Sequence, residues 1–484
     1  MSATSLRLMA IRGSRGRGIL ALLLVPLAFA ACVRQPAVEP QDGVPAAAPQ
    51  ERPPDVVVVL TDDQRWDTLW SMPTVQRELV DHGVTFTNAF VVNPLCCPSR
   101  ASILTGRYSH GTGVYLNRGK HGGFNAFDDT STVATWLDDA GYETALAGKY
   151  MNKYRDASYV PPGWDRWAAF LGPNGYYDYS LAVDGAARDF GSRVREYSTD
   201  VLARWSSRFI RSVPEDEPLF LMFAPYAPHK HAVPARRDEG TFDGFRRWRT
   251  PGYDETNVRD KPPYVRSKPR VRPGRADRLA IEARREYESL GAVDDAVGRL
   301  VEALEETGRL STTLLVFMSD NGVAWGEHRW TYKLVPYEES IRVPMVVRFD
   351  PLVDQPRQDP NLVLNIDLAP TIGALSGIGA RAMDGRSLVP LLDEGGGGAP
   401  WRLDFLIENL RFDRGGKDVV PTYCAVRSRR ALYVAYRGGF EELYDLDRDP
   451  FQMRNVAGQN LPILDAMRAR VAELCDPPPP SDPR

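Results

Sequence analysis

Two short apolar runs constrain this chain more than anything else in it. Val56 to Leu60 and Leu314 to Met318 contain no polar residue, so they read as strands buried on both faces in the middle of a parallel sheet. Helices must cover both sides of such a sheet, which makes the fold α/β. Each run ends in acid: Thr61-Asp62-Asp63-Gln64 follows the first and Ser319-Asp320-Asn321-Gly322 the second. Open α/β sheets place their ligands at the carboxyl ends of strands. Adjacent acids repel and are costly to hold there unless a cation compensates. Asp62, Asp63, Asp320 and Asn321 together offer three carboxylates and an amide oxygen, an all-oxygen set suited to a hard dication such as calcium.

Other strand exits carry polar groups as well. Thr132 to Asp139 reads as an amphipathic helix stopped by Gly141, and Tyr142 to Ala147 as the next strand, ending in Gly148-Lys149-Tyr150. Pro218 to Phe223 is a further strand, and it delivers Pro228-His229, with His231 as a local competitor. A histidine can move protons near neutral pH because its unperturbed pKa lies there. Cys96-Cys97-Pro98-Ser99-Arg100 reads as a turn into a helix, with Pro98 suited to the first turn and Gly106 to the stop. Cys96 then sits at a helix N-terminus, which favours an anion, and Arg100 lies one turn on. Alone, two adjacent cysteines are usually buried small hydrophobes.

The whole stretch from Cys96 through Leu104-Thr105-Gly106-Arg107 resembles the signature of the sulfatase family, Cys-x-Pro-Ser-Arg with a Leu-Thr-Gly-Arg close. The resemblance implies an alkaline-phosphatase-like fold: a large, mixed, mostly parallel sheet flanked by helices, with a smaller C-terminal module of antiparallel sheet plus helix. It implies that a formylglycine-generating enzyme oxidises Cys96 to formylglycine, whose hydrate is the nucleophile. It gives Asp62, Asp63, Asp320, Asn321 and the modified Cys96 to a calcium ion, with magnesium as the alternative. Arg100, Lys149 and Lys333 would neutralise the sulfuryl oxygens, and His229 would bond the ester oxygen or protonate the leaving alcohol. Gly326-Glu327-His328, Lys333 and Tyr337-Glu338-Glu339 through Arg342-Val343-Pro344 also match, with His328 expected in the site wall. Asp367 to Thr371 and Asp384 to Leu388 match with an architectural role. Many relatives place a His two residues after the Gly-Lys; here that position is Met151, so its role is missing or passes to Asn152.

The implied activity is hydrolysis of sulfate esters, of a sulfated sugar or an aryl sulfate. The Cys-Cys-Pro-Ser-Arg core and Gly-Lys-Tyr segment look most like N-acetylglucosamine-6-sulfatases and related arylsulfatases. Two alternatives stand beside it: a phosphodiesterase or phosphonate monoester hydrolase of the same superfamily, and a non-catalytic glycan-binding lipoprotein.

The N-terminus reads as a targeting segment. Arg7 to Arg17 precede an apolar run from Ile19 to Ala31, the length of a signal h-region and short for a membrane span. Leu27-Ala28-Phe29-Ala30-Ala31-Cys32 resembles a lipobox, which would lipidate Cys32, although Phe29 departs from it and ordinary signal cleavage would also serve. The expected organisation is signal peptide 1–31, flexible Pro/Ala-rich linker 32–54, catalytic domain 55–400 and smaller domain 401–484, with Gly395 to Gly398 as a hinge. Export gives meaning to the five cysteines. With Cys32 and Cys96 modified as the resemblances imply, Cys424 and Cys475 are a candidate disulfide and Cys97 a buried thiol. The net charge of -3 gives no global field for nucleic acid, so the membrane would be met only through the lipid anchor. From Ala235 to Arg278 the chain is dense in Arg and Lys mixed with aromatics, Pro and Gly. That texture suits a solvated loop, or else a lid facing a polyanionic glycan. Tyr287 to Thr307 has helical apolar spacing with Gly308 as the stop, and its Asp294-Asp295 pair reads as structural.

Overall fold

The computed structural model describes residues 52–481, apart from 247–248, 380, 394–400, 412–418 and 460. The signal peptide, Cys32, nearly all of the linker and the Gly395 to Gly398 hinge lie outside the described residues. Ten strands form one sheet: β1 (Val56–Thr61), β2 (Val84–Phe90), β3 (Glu143–Gly148), β4 (Arg166–Phe170), β5 (Tyr179–Val183), β6 (Ala186–Phe190), β7 (Leu219–Ala224), β8 (Leu314–Ser319), β9 (Met345–Arg348) and β10 (Arg357–Leu364). Their order is β10-β2-β9-β8-β1-β7-β3-β4-β5-β6. The central strands β8, β1, β7, β3 and β4 all run parallel, so their carboxyl ends open on one edge. β9 runs against β2 and β8, and β5 and β6 form an antiparallel margin.

Strand β1 shows why an uninterrupted apolar run is needed. Val56, Val58 and Leu60 enter one core with Val316 and Leu146, while Val57 and Val59 enter the opposite core with Val293 and Val297. Fully burying a Val or Leu contributes roughly 1.5–3 kcal/mol. The apolar side chains of β1 therefore hold Asp62 and Asp63 at a depth that two acids would not choose.

The Cys96–Thr105 helix lies on the first face, and helices Ser198–Ser212 and Pro273–Glu306 pack together on the second. The last of these begins at Pro273, well before the expected Tyr287. Its first turns hold good helix formers but bury only Leu279, Ala283 and Glu286, too sparse a period to read in sequence. Asp294 on this helix accepts the backbone N–H groups of Thr74 and Val75 at 2.9 and 2.8 Å, a structural use of the acid pair.

A second, antiparallel sheet follows: β11 (Asp404–Asn409), β12 (Tyr423–Ser428), β13 (Ala431–Tyr436) and β14 (Glu441–Asp445). Its residues alternate as a two-sided sheet should. Phe405, Ile407, Tyr423 and Ala425 share a core with Phe90 and Leu364, while Leu406, Cys424 and Val426 pack beneath helix Pro462–Leu474. Asp367 anchors this module by accepting from both terminal nitrogens of Arg402 at 2.6 and 2.7 Å, the architectural role its motif implied. Cys424 and Cys475 are disulfide-bonded across 51 residues, closing a loop whose constraint is worth about 4 kcal/mol on the chain-entropy account.

Candidate active site

The carboxyl ends of β1, β3, β7 and β8 and the first turn of the Cys96 helix converge on one buried polar cluster. The helix runs from Cys96 to Thr105, with Leu95 as N-cap and Gly106 as left-handed C-cap. Pro98 stands in its first turn, where a missing N–H costs nothing. All of its residues are buried, and Asn365 holds its start by donating from Nδ2 to Ser99 Oγ at 2.9 Å and accepting the Val92 N–H at 3.2 Å. Asn117 accepts the Cys97 N–H at 2.8 Å.

Asp62 and Asp63 leave β1 together, and Asp63 takes a left-handed backbone (φ 64°), a strained conformation for a residue with a side chain. Asn321 and Lys333 hold its carboxylate inward. Asp320 Oδ1 accepts the Asp63 N–H at 3.1 Å, and Asn321 Nδ2 donates to Asp63 Oδ1 at 2.7 Å. The second strand pair is thus brought against the first, as the two matching exits predicted.

Three fixed cations answer three carboxylates. Lys149 Nζ lies 2.5 Å from Asp62 Oδ2, Arg100 Nε donates to Asp320 Oδ2 at 2.8 Å, and Lys333 pairs with Asp63. Arg100 also donates to the Lys149 carbonyl at 2.6 Å. Gly148 permits the close approach of β3 to β7 at their carboxyl ends: a Cβ there would lie 2.0 Å from the Ala224 carbonyl oxygen. Cys96 Sγ sits 2.8 Å from Lys333 Nζ, 3.6 Å from Asp62 Oδ1 and 3.9 Å from Asp63 Oδ1.

Burial tends to raise Asp62 and Asp63, but Lys149, Lys333, His229 and, for Asp62, Arg100 outweigh it and hold both below the ordinary carboxylate range. At Asp320 burial wins, helped by the charge of Asp62, and the carboxyl is pushed up to about 6. Burial pushes the Cys96 thiol up to about 12 despite two lysines, so it is no thiolate nucleophile as it stands. His229 comes from the exit of β7. Its Nδ1 donates to the Lys230 carbonyl at 2.5 Å, Nε2 faces Asp63 Oδ2 at 3.6 Å, and the ring stacks on Tyr226. Burial moves its pKa down, against the charges of Asp62 and Asp63, which pull it up.

Of the two alternatives for the position after Gly-Lys, the one that passes the role to Asn152 is not supported: its side chain and N–H contact Cys97 Sγ at 3.2 and 3.1 Å. His328 bonds Glu255 through Nδ1 at 2.7 Å and packs on Tyr337, with Nε2 buried and without a hydrogen-bond partner, and it ties the basic segment to the body. His231 stands exposed, bonded to Glu282. Sequence reading missed Tyr226, Asn117 and Asn365. Asn365 and Tyr226 had signals nearby, two residues before the Asp367 motif and three before His229; Asn117 had none.

The cluster suits a dication. One ligand atom each from Asp62, Asp63, Cys96 and His229 falls within 4.8 Å of the others, and Asp63 Oδ2 is buried with no hydrogen-bond partner. An unpartnered buried carboxylate oxygen among hard donors is the kind of atom such an ion satisfies.

A mostly parallel sheet with acids, lysines and a helix N-terminus at its carboxyl edge makes a centre that can receive an anionic ester. The chain belongs to the sulfatase family, the sulfuric ester hydrolases: the family model described as Sulfatase matches residues 54–378, and one described as N-sulphoglucosamine sulphohydrolase, C-terminal, matches 326–476. Human N-acetylglucosamine-6-sulfatase is 33% identical over 464 residues, covering 86% of this chain and 83% of that protein. A Drosophila melanogaster protein named extracellular sulfatase SULF-1 homolog is 34% identical over 353 residues, 71% of this chain. The chain spans only 32% of that relative's length. Among solved structures, a protein in complex with its substrate D-glucosamine-2-N,6-O-disulfate superposes with a TM-score of 0.77 at 23% identity, over 88% of this chain and 98% of that one. The phosphonate monoester hydrolase of Agrobacterium radiobacter superposes with a TM-score of 0.69 at 21% identity, over 88% and 96%. At these identities the two structures speak for the fold alone. Among the described residues no helix is long and apolar enough to cross a membrane.

Proposed function

We propose that the protein is an exported sulfatase that removes sulfate from a glucosamine-type sugar, using formylglycine made from Cys96 by a formylglycine-generating enzyme. The observation that carries this is the placement of Cys96 Sγ at a buried helix N-terminus, within 4 Å of Asp62, Asp63 and Lys333. A thiol pushed up to about 12 makes a poor nucleophile there, so the position calls for a different group. The oxidised side chain supplies an aldehyde hydrate, in which one hydroxyl can attack sulfur and the other can later expel sulfate.

Asp62, Asp63, Asp320 and Asn321 would hold a calcium or magnesium ion beside it, which supplies Lewis-acid polarisation of a sulfate oxygen. Three carboxylates already face three fixed cations, so a dication leaves the centre positive and matched to an anionic ester. Lys149 and Lys333 give up part of their contact with Asp62 and Asp63 to bind sulfuryl oxygens, and Arg100 holds Asp320 and the Lys149 carbonyl in place. Protonation of the departing alcohol falls to His229 or one of the lysines.

The substrate assignment rests on the relatives named N-acetylglucosamine-6-sulfatase and on the sequence stretches around Cys96 and Lys149. A cell-surface location through Cys32 accords with relatives named extracellular sulfatases. A hydrate nucleophile beside fixed cations and a dication would also serve a phosphoryl ester, which gives a second reading, phosphodiester or phosphonate hydrolysis at the same centre. Rates on glucosamine-6-sulfate, an aryl sulfate and an aryl phosphodiester separate them. Sulfate release must dominate, and a faster phosphodiester reaction would replace the first reading with the second.

A further inference from the structure

The turn that delivers His229 is tied to the segment that delivers Lys333, and one side chain makes the tie. His229 leaves β7 with its ring stacked on Tyr226 at 4.7 Å, its carbonyl accepting the Tyr176 hydroxyl at 2.7 Å and its N–H bonded to the Tyr226 carbonyl at 3.0 Å. These contacts fix the backbone and the plane of the ring, but not which edge of the ring points inward. A half-turn about Cβ–Cγ would keep the stacking and put a carbon where Nε2 stands. The bond from Nδ1 to the Lys230 carbonyl, at 2.5 Å, makes the choice. It leaves Nε2 facing the cluster, 3.6 Å from Asp63 Oδ2.

That carbonyl sits near the surface, since Lys230 is half-buried and the His231 side chain after it is 85% exposed. Its anchor is the Lys230 side chain. Lys230 Nζ reaches across 101 residues to donate to the Thr331 carbonyl at 2.9 Å, and lies 4.7 Å from the centre of the Tyr332 ring. A charged donor and a cation–π contact together make a firm attachment. The segment it grips is fixed from elsewhere. Arg275, on helix Pro273–Glu306, donates to Thr331 Oγ1 at 3.1 Å; the Tyr332 carbonyl accepts the Ala324 N–H at 3.0 Å, and the Lys333 carbonyl accepts the Trp330 indole N–H at 3.0 Å. A surface turn is thus clamped to a rigid post, and the post carries Lys333, whose Nζ is 2.8 Å from Cys96 Sγ.

We propose that Lys230 is a positioning residue: by gripping the segment from Thr331 to Lys333 it keeps its own carbonyl on His229 Nδ1, and so keeps Nε2 aimed at the departing oxygen. The inference rests on the sulfatase reading and deepens it, since it gives that oxygen to His229. When the bond from sulfur to the oxygen breaks, its electron pair stays on the oxygen and the Nε2 proton joins it there as the alcohol O–H. The ring keeps the proton on Nδ1, shared with the Lys230 carbonyl. Lys333 and His229 serve the two sides of the same breaking bond, so a fixed spacing between them is part of the alignment that reaction needs.

The test reads leaving-group dependence, through kcat/KM on 4-nitrophenyl sulfate, whose phenolate departs unaided, and on phenyl sulfate, whose more basic oxygen needs a proton. Lys230→Met should lower the phenyl sulfate value at least about tenfold and the 4-nitrophenyl value at most about twofold, since positioned proton transfer is worth about 10²–10⁴-fold. Turnover of 4-nitrophenyl sulfate then shows that the variant is folded. In a His229→Ala background, Lys230→Met should cost less than about twofold more, because a residue that acts through another has nothing left to act on. Equal losses on the two sulfates, full activity of Lys230→Met on phenyl sulfate, or losses that multiply in the double variant overturn the inference. Failure of the sulfatase reading would show instead as no sulfate release from 4-nitrophenyl sulfate by the wild-type protein.

Discussion

Strand β1 carries a fully buried acid at each end, and the two ends are built differently. At its start, Asp55 Oδ1 accepts from the Leu219 N–H and Arg309 at 2.9 Å each, and Oδ2 accepts from Arg52 at 2.7 Å. Both oxygens are matched, yet burial still raises the carboxyl against those donors. At its finish, Asp62 and Asp63 are held down by several cations at once, while Asp63 Oδ2 and Arg100 Nη2 are buried without partners. Each end leaves one guanidinium nitrogen without a partner, Arg309 Nε at the first and Arg100 Nη2 at the second; the difference lies in the acids, since both oxygens of Asp55 have donors while Asp63 Oδ2 has none. A network closed on itself stabilises a fold, whereas one left open is shaped for something that comes and goes.

The largest effect should fall at the open end. Cys96→Ala is expected to lower kcat/KM at least about 10⁴-fold with the melting temperature retained, as for loss of a covalent nucleophile. Steady-state rates beside a thermal melt will read it. Arg309→Met at the closed end should do the reverse, costing about 3–5 kcal/mol because Asp55 keeps its charge and loses a buried partner. Urea unfolding measures the cost, and turnover per folded molecule should hold. Lys333→Met should cut kcat/KM about 10²–10³-fold while changing stability little, since Asp63 can still be compensated by a dication. If stability falls as far as for Arg309→Met, the contrast between the ends fails.

The smallest effect is a pH dependence behind the site. Glu286 is buried, accepts from Trp325 Nε1 at 2.7 Å, and is pushed up to about 8 chiefly by burial. The folded state then binds a proton that the unfolded chain has released above its ordinary value of 4.5, so stability should fall by roughly 1 kcal/mol per pH unit between the two. Glu286→Gln should flatten that slope and match the wild type below the lower value. Unfolding midpoints across this range decide it.

Much of this is legible in the order of residues alone. Five- and six-residue apolar runs bounded by turn signals, too short for a helix, read as two-sided strands, so β1, β7 and β8 and the polar groups at their exits can be placed from sequence. Pro462–Leu474 and the β12–β13 pair follow from equally plain periodicity. What escapes are relations set by approach in space. Asn365 reaches Ser99 across 266 residues, and Asn152 meets Cys97 across 55. His328 sits in a motif that matches, yet its ring is captured by Glu255, 73 residues earlier, a partner that no local pattern announces.

Intact mass of the Cys96 peptide, taken from protein whose sulfate release has been assayed in the same preparation, tests the central claim most directly. The account predicts an aldehyde or its hydrate in place of the thiol, in a fraction that tracks specific activity from batch to batch. A preparation that carries the unmodified thiol throughout and still releases sulfate at full rate would contradict it.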